Sequence, residues 1–410
     1  MTGEGGRGEA RGRARPADAA RAFHLGRAER RGAVLGWRPG QALAAAVGAT
    51  ALVAGLGAGG SAAAVLGVLA ATVAVAIALV PLRGRGLDEW LPVAATHLAR
   101  VRGGALCAGA TVHHDDGLAH LRWPDGTATS LAALEHHGLR ALADEPGARG
   151  QALAAWLRGL GGVGQAPTAV TFLTVTGPGP LPRHEVSLAD RGMAARSYVA
   201  VSDDAPVDVA AALRAVGVDG AVRCELEDLD EMLAARVAPG MGTLLGVDLV
   251  ARWRCLEAPA SVHAAFVVEE WSGGDVDDEV LTALCVSADR RTVALSVRVE
   301  ELTRARHRTA RLRTVAAADD AIKARGGFLD SSESLRDATR DAERAHELAA
   351  GHGSLRLVGV VALDADDLMG LEVGAARLLA DAAACGVRLR RCDGDHRRGV
   401  LASVPGWCVP

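Results

Sequence analysis

Hydrophobic and polar positions divide this chain into two unlike parts. Between Arg38 and Arg83 lie 44 residues without a single Asp, Glu, Lys, Arg or His, dominated by Ala, Val, Leu and Gly. One spanning helix takes about 20 apolar residues, so the run is long enough for two. It predicts a two-helix transmembrane hairpin over 39–82, with helices at about 41–57 and 62–82. Gly57, Gly59, Gly60 and Ser61 supply the turn. The first half, Gln41 to Leu56, is Ala-rich and less apolar than Ala62 to Leu82. In 83–103, Leu87, Trp90, Leu91, Leu98 and Val101 recur at helical spacing beside Arg100 and Arg102. This predicts a juxtamembrane amphipathic helix, lying against the membrane or opening the soluble part.

The remainder alternates strand and helix patterns. Ala105 to Arg122 reads as a hairpin turning at Asp115-Asp116-Gly117, and Leu131 to Leu160 as a helix broken near Pro146-Gly147. Ala169 to Val175 and Ser197 to Ser202 read as strands, Val207 to Val216 and Leu226 to Arg236 as helices. Beyond Gly246, strands are expected at His263–Trp271, Thr292–Glu300, Leu355–Leu363 and Val387–Cys392. Helices are expected at Val276–Leu284 and Asp366–Ala384. A charged helical pair, 302–348, is interrupted at Gly326-Gly327. The fold class is therefore α+β: the hairpin, then a cytoplasmic α/β region with ferredoxin-like (split βαβ) units. Its divisions are a first soluble subdomain over 104–245 and a second over 246–410, which carries the helical pair as an insertion.

Charge refines this picture. The 410 residues are 23% charged with a net charge of −4, which is no polyanion-binding signature. Residues 1–38 nevertheless carry nine Arg against four acids. The first twenty of them lack apolar periodicity and are expected to be disordered. A basic segment beside a membrane points to anionic lipid headgroups rather than nucleic acid. Arg30, Arg31 and Arg38 precede the apolar run and Arg83 and Arg85 follow it. Both termini are therefore expected on the cytoplasmic side of the inner membrane, as a two-pass protein. A cleaved signal peptide fits poorly, since the run is too long and begins too late. The seven cysteines form no CxxC and read as reduced core thiols of a cytosolic domain. One lysine, Lys323, against 44 arginines, with abundant Ala and Gly, suggests a high-GC genome.

Candidate chemistry is sparse. Gly55-Leu56-Gly57-Ala58-Gly59-Gly60 satisfies GxGxxG, but no acid follows at about 20 residues to hold a ribose. The segment after it is apolar on every face, whereas a nucleotide-binding helix needs a polar one. Lys323 is followed by Ala324, so it cannot belong to a P-loop. His113-His114 and His136-His137 are the metal candidates, yet adjacent histidines on a strand point to opposite faces. No GxSxG is present and no cysteine has a neighbouring histidine. The residues thus assign no catalytic, cofactor-binding or metal-binding position, and the expectation is a protein that is not an enzyme.

Several segments together resemble a known family. They are Ala22-Phe23-His24-Leu25-Gly26 through Glu29-Arg30-Arg31-Gly32, the two apolar helices, and Pro81-Leu82-Arg83-Gly84-Arg85-Gly86-Leu87-Asp88-Glu89-Trp90-Leu91-Pro92. Arg183-His184-Glu185-Val186, the charged helical pair and the final strand-helix-strand complete the series. The chain resembles an actinobacterial family of two-helix membrane proteins associated with conjugation-type (type IV-like) secretion loci. Its soluble part is similar to the N-terminal, non-motor region of conjugation ATPases. Where that family ends in an aromatic- and Gln-containing connection, this chain has Cys392-Asp393-Gly394-Asp395-His396. The resemblance implies a non-enzymatic inner-membrane subunit of a DNA-transfer or secretion apparatus. Its partners would be membrane lipids, a motor ATPase on another chain and other membrane subunits, with homo-oligomerisation open. The alternative it also fits is the E component of an ESX (type VII) secretion core, and a membrane-tethered enzyme is the reading of a different class.

Overall fold

The computed structural model describes residues 39–134, 169–326 and 339–405, with shorter interruptions of which 235–246 and 272–283 are the longest. The basic N-terminal segment, His136-His137, the break at Pro146-Gly147 and most of the helix expected over Val276–Leu284 lie outside the described residues. The protein is a mixed α+β structure built on one large antiparallel sheet, with an apolar helix near its N-terminus.

That helix, α1 (Pro39–Gly57), is followed after three residues by α2 (Ser61–Leu79). The turn holds Gly59 at φ +69°, a left-handed conformation that glycine adopts without penalty. The two helices pack antiparallel. A Cβ on Gly55 would lie 2.8 Å from the Cα of Gly67, and one on Gly48 would lie 2.6 Å from the Cβ of Ala74. Glycine is thus what lets the backbones meet. Among the described residues one helix, Gly40–Gly57, is long and apolar enough to cross a membrane. The apolar stretch of α2, Ser61–Ile77, falls short of that length. α2 ends at Leu79 rather than Leu82, because Pro81–Leu82 (β1) pairs with Arg85–Gly86 (β2). Leu87–Arg100 then forms α3.

Fourteen strands make the main sheet. In chain order they are β3 (Gly104–Ala105), β4 (Thr111–Asp115), β5 (Leu118–Arg122), β6 (Ala128–Leu134), β7 (Ala169–Pro178), β8 (Val186–Leu188) and β9 (Met193–Asp203). Then come β10 (Ala221–Arg223), β11 (Asp248–Ala251), β12 (Leu256–Ala258), β13 (Ser261–Glu270), β14 (Arg290–Glu300), β15 (Ser354–Ala365) and β16 (Arg388–Arg391). The spatial order β4-β5-β6-β9-β7-β14-β15-β13-β12-β11 reads alike from both ends. On each side a long strand (β6, β13) is flanked along one edge by β9 or β15. Its other edge is shared by a hairpin partner (β5, β12) and by the strand that closes the set (β10, β16). The two sets therefore have strand orders β10-β6-β9-β7 and β16-β13-β15-β14. They join antiparallel along β7 and β14, with Leu173 opposite Ala294.

Helices cover both faces. One core joins α4 (Val209–Ala215) and α7 (Leu368–Ala384) to Phe172, Val201, Phe266, Leu295 and Val361. The other joins α5 (Leu226–Ala234) and α8 (His396–Ala402) to Leu131, Leu173, Tyr198, Ala265 and Ala294. A sheet buried on both faces reads as continuous apolar runs rather than alternation. This corrects the helix expected from Leu131. Residues 128–134 are the strand β6, with all seven positions buried, and the remainder of that expected helix lies outside the described residues. The helix α8 answers to no expectation from the sequence.

The longest helix, α6 (Leu302–Gly326), ends at the expected Gly326. At 25 residues it is about 37 Å long. Its first turns are anchored: Ala305 and Thr309 are buried, and Arg306 donates to the carbonyl of Leu348. From Ala310 onward each residue with an assigned exposure is exposed or half-buried, so the helix projects from the sheet.

Candidate functional site

Two features stand out from the packed core: α3, which ties the apolar pair to the sheet, and α6, which leaves it. The inward side of α3 is aromatic. Trp90 stacks on Trp253 with ring centroids 5.5 Å apart, and His97 meets the same indole edge-on at 5.2 Å. Trp253 sits in the turn between β11 and β12, and that turn is held from behind. Arg391 donates to the carbonyl of Arg254 and to Glu372, and Arg254 also reaches Glu372, at 3.0 Å. The Arg391 guanidinium beside Glu372 holds this carboxyl below the usual carboxylate range. Gly394 completes the seat. Its φ is +76°, its N–H donates to the Trp253 carbonyl at 2.7 Å, and a Cβ there would lie 2.8 Å from Val93. Neither Trp253 nor Gly394 stood out in the sequence. Their only signal was an aromatic in a short turn and a glycine three residues beyond the last strand.

On α6 the charge is sorted rather than mixed. Arg304, Arg306, Arg308, Arg311 and Arg313 fall in its first half, and no acid precedes Asp319. Arg308 pairs with Glu300 at 2.7 Å, whereas Arg311 and Arg313 are exposed. Cations near a helix N-terminus oppose its macrodipole, so this arrangement does not stabilise the helix through its dipole.

The histidine pair His113-His114 lies on β4. His113 stacks on His120 across the hairpin at 5.7 Å and hydrogen-bonds the Thr111 hydroxyl at 2.7 Å. Among the described residues no three His, Cys, Asp or Glu are placed to hold a metal ion. The GxGxxG segment is the end of α1 and its turn, where a dinucleotide-binding loop would follow a strand. Of the thiols, Cys224, Cys255 and Cys285 are buried. Burial pushes the Cys285 thiol up to about 12 and raises that of Cys224 as well. Both stay protonated and unreactive at neutral pH.

One arrangement escaped the sequence entirely. On β13, Ser261 and His263 are two apart and share a face, and β15 places Asp364 opposite His263. The Ser261 hydroxyl lies 3.0 Å from Nε2, and Asp364 Oδ1 lies 2.7 Å from Nδ1. This is the connectivity of a serine-hydrolase relay. Access decides against that chemistry. His263 is fully buried and Ser261 is only 2% exposed, so a substrate carbonyl cannot reach the hydroxyl. The three residues form a cross-strand clamp that satisfies a buried carboxylate. An open cleft of about 310 Å³ does touch Asp364, but its walls are Asp289, Arg290, Asp366 and Asp367, away from the serine.

No protein-family model and no curated protein sequence matches the chain.

Proposed function

We propose that this chain is a membrane-anchored, non-enzymatic subunit of a conjugation-type or related secretion apparatus, and that it docks a motor ATPase through its cytoplasmic domain. The observation that carries the anchor is the outward face of the helix pair. Leu43, Val47, Val53 and Leu56 on α1, and Val65, Leu66, Leu69 and Val73 on α2, are exposed large apolar side chains. In water each would forgo about 1.5–3 kcal/mol of burial, which lipid restores. The hydroxyls of Thr50 and Thr72 bond the carbonyls four residues back, so neither needs water. Both 19-residue helices are about 28 Å long, close to the hydrocarbon thickness, so a two-pass hairpin fits. The antiparallel pairing leaves both outer ends on one side, in keeping with arginines on both flanks.

The soluble part is, in this reading, a pair of ferredoxin-like units. The strand orders β10-β6-β9-β7 and β16-β13-β15-β14, antiparallel throughout, support it. The docking face is the basic half of α6. Assignment to a secretion apparatus rests on the resemblance stated above, and an unusable lysine leaves ATP hydrolysis to a partner.

Affinity purification from native membranes tests the proposal, comparing the natural chain with Arg311→Glu/Arg313→Glu. A motor ATPase should be recovered with the natural chain and depleted at least several-fold with the variant, at unchanged melting temperature, since exposed charges add little stability. Recovery of ESX components instead would place the chain in a type VII core. Equal recovery with both chains would move the docking face off α6.

A further inference from the structure

Helices at a protein surface normally turn their polar side outward. The helix α3 is apolar on its outward side as well, over its described side chains. Its inward side carries Trp90, Val93 and His97 against Trp253, while the exposed positions among its described side chains are Leu91, Pro92, Ala95 and Leu98. These fall at i, i+1, i+4 and i+7, one stripe of a helix, and none can hydrogen-bond through its side chain. Leu91 is 58% and Leu98 77% exposed. The same helix touches both α1 and α2, and Arg83 and Arg85 precede it, Arg100 ends it and Arg102 follows it in the sequence.

We infer that α3 is a two-sided coupling helix, with its Leu91–Leu98 face embedded in the headgroup–acyl boundary of an anionic membrane. Its Trp90–His97 face is locked onto the second half of the sheet. The inference rests on the anchoring proposed above and adds to it. Lipid is the occupant because the stripe runs on from the apolar helix pair, and because the flanking arginines match anionic headgroups. A partner protein would need neither. The consequence is mechanical. The domain does not hang from a flexible linker: Trp253 and Gly394 fix the edge of the sheet at the bilayer, and α6 is held at a set orientation for its partner.

The test uses the full chain reconstituted in phosphatidylcholine–phosphatidylglycerol vesicles, with a benzophenone-bearing amino acid replacing Leu98, Leu66 or Arg311 in turn. Illumination attaches the probe to whatever it touches, and mass spectrometry reads the adduct. Positions 98 and 66 should both acquire a phospholipid mass, at least tenfold above position 311. A lipid adduct at 66 but not at 98 overturns the coupling helix and leaves the anchor standing. Lipid adducts at neither position overturn the anchor itself. A protein adduct at 98, to a second copy or another chain, shows the stripe to be a protein interface and refutes the inference.

Discussion

Glycine in the middle of a buried strand sacrifices side-chain packing and backbone entropy, so Gly359 on β15 needs a reason. It lies beside Val268 of β13, and the Trp271 indole crosses over it. A Cβ at this position would stand 2.7 Å from Trp271 Cζ2, 2.7 Å from Val268 Cγ2 and 3.1 Å from Val268 Cβ. Carbon atoms prefer about 3.5–4.0 Å, so Gly359→Ala forces roughly 1 Å of movement on two buried side chains at once. Overpacking of this kind costs about 1–3 kcal/mol, and two neighbours put the expectation in the upper half. At about 2–4 °C per kcal/mol for a domain of this size, the melting temperature should fall by roughly 4–12 °C. The indole signal in near-ultraviolet circular dichroism, followed on the full chain in detergent, reads it directly.

A second substitution identifies the cause. Val268→Ala alone removes two methyl groups from the core and should cost about 1–2 kcal/mol. In Gly359→Ala/Val268→Ala the 2.7 Å overlap with Val268 Cγ2 is gone, leaving the indole and the milder 3.1 Å approach to the remaining Cβ. The double variant should therefore be more stable than the sum of its singles, by about 1 kcal/mol. Simple addition of the two penalties would show that the clash is not with Val268. A Gly359→Ala chain melting within a degree of the natural one would refute the packing argument altogether.

Three further expectations concern other sites. His396 is buried and accepts the Ala265 N–H through Nδ1. Burial, ahead of the opposing pull of the Asp393 carboxylate 3.7 Å from Nε2, holds its pKa below the ordinary value. The unfolded chain therefore binds a proton near pH 6.5 that the folded one resists, and stability should fall as the pH drops below 6.5. His396→Gln should flatten the pH dependence of melting in that range, and an unchanged profile would discount this group. Cys224 and Cys285 should resist a disulfide reagent at pH 8 until denaturant is added; prompt titration of either, mapped by mass spectrometry, contradicts their burial. Gly394→Ala combines a left-handed backbone with contacts on Val93 and Trp253, and should lower stability by roughly 1–3 kcal/mol. Trypsin should then cut faster beside α3, whereas cutting at the natural rate would mean that the helix is seated by something else.

The sequence carried local signals well and long-range ones poorly. The apolar helices, α3 and most strands of the second half were legible because each has a marked period or a bounding glycine. β6 was not, since Ala128–Leu134 is buried on both faces and its Ala and Leu also suit a helix. The relay-like clamp was invisible because Ser261 and Asp364 are 103 positions apart and meet only through the β13–β15 register. The aromatic seat of α3 was hidden for the same reason. Trp90 and Trp253 each look like ordinary surface aromatics until the fold stacks them. What periodicity could not supply was the pairing of β7 with β14, which turns two apparent subdomains into one sheet.

That pairing gives the two halves nearly equivalent surroundings, so their differences carry the argument about direction. Each set closes on Arg-Cys, Arg223-Cys224 after β10 and Arg391-Cys392 after β16, and a short helix follows in both. Past that point they diverge. In the first half, Asp228 accepts from the Glu225 N–H and caps the helix locally. In the second, the chain takes the left-handed step at Gly394 and sends His396 into the gap that β12 and β16 leave along β13. The hairpin turns differ likewise: Trp253 lies between β11 and β12, whereas Asp115-Asp116-Gly117 lies between β4 and β5. In the second half the turn that carries Trp253 closes on Gly394, and there α3 settles. The insertion carrying α6 also belongs to that half, between β14 and β15. Tether and projecting helix therefore leave the same unit, and its partner in the sheet is free of both. A symmetric framework modified on one side in this way holds α6 on the unit that seats α3, as the docking role proposed above requires and a freely linked domain could not provide.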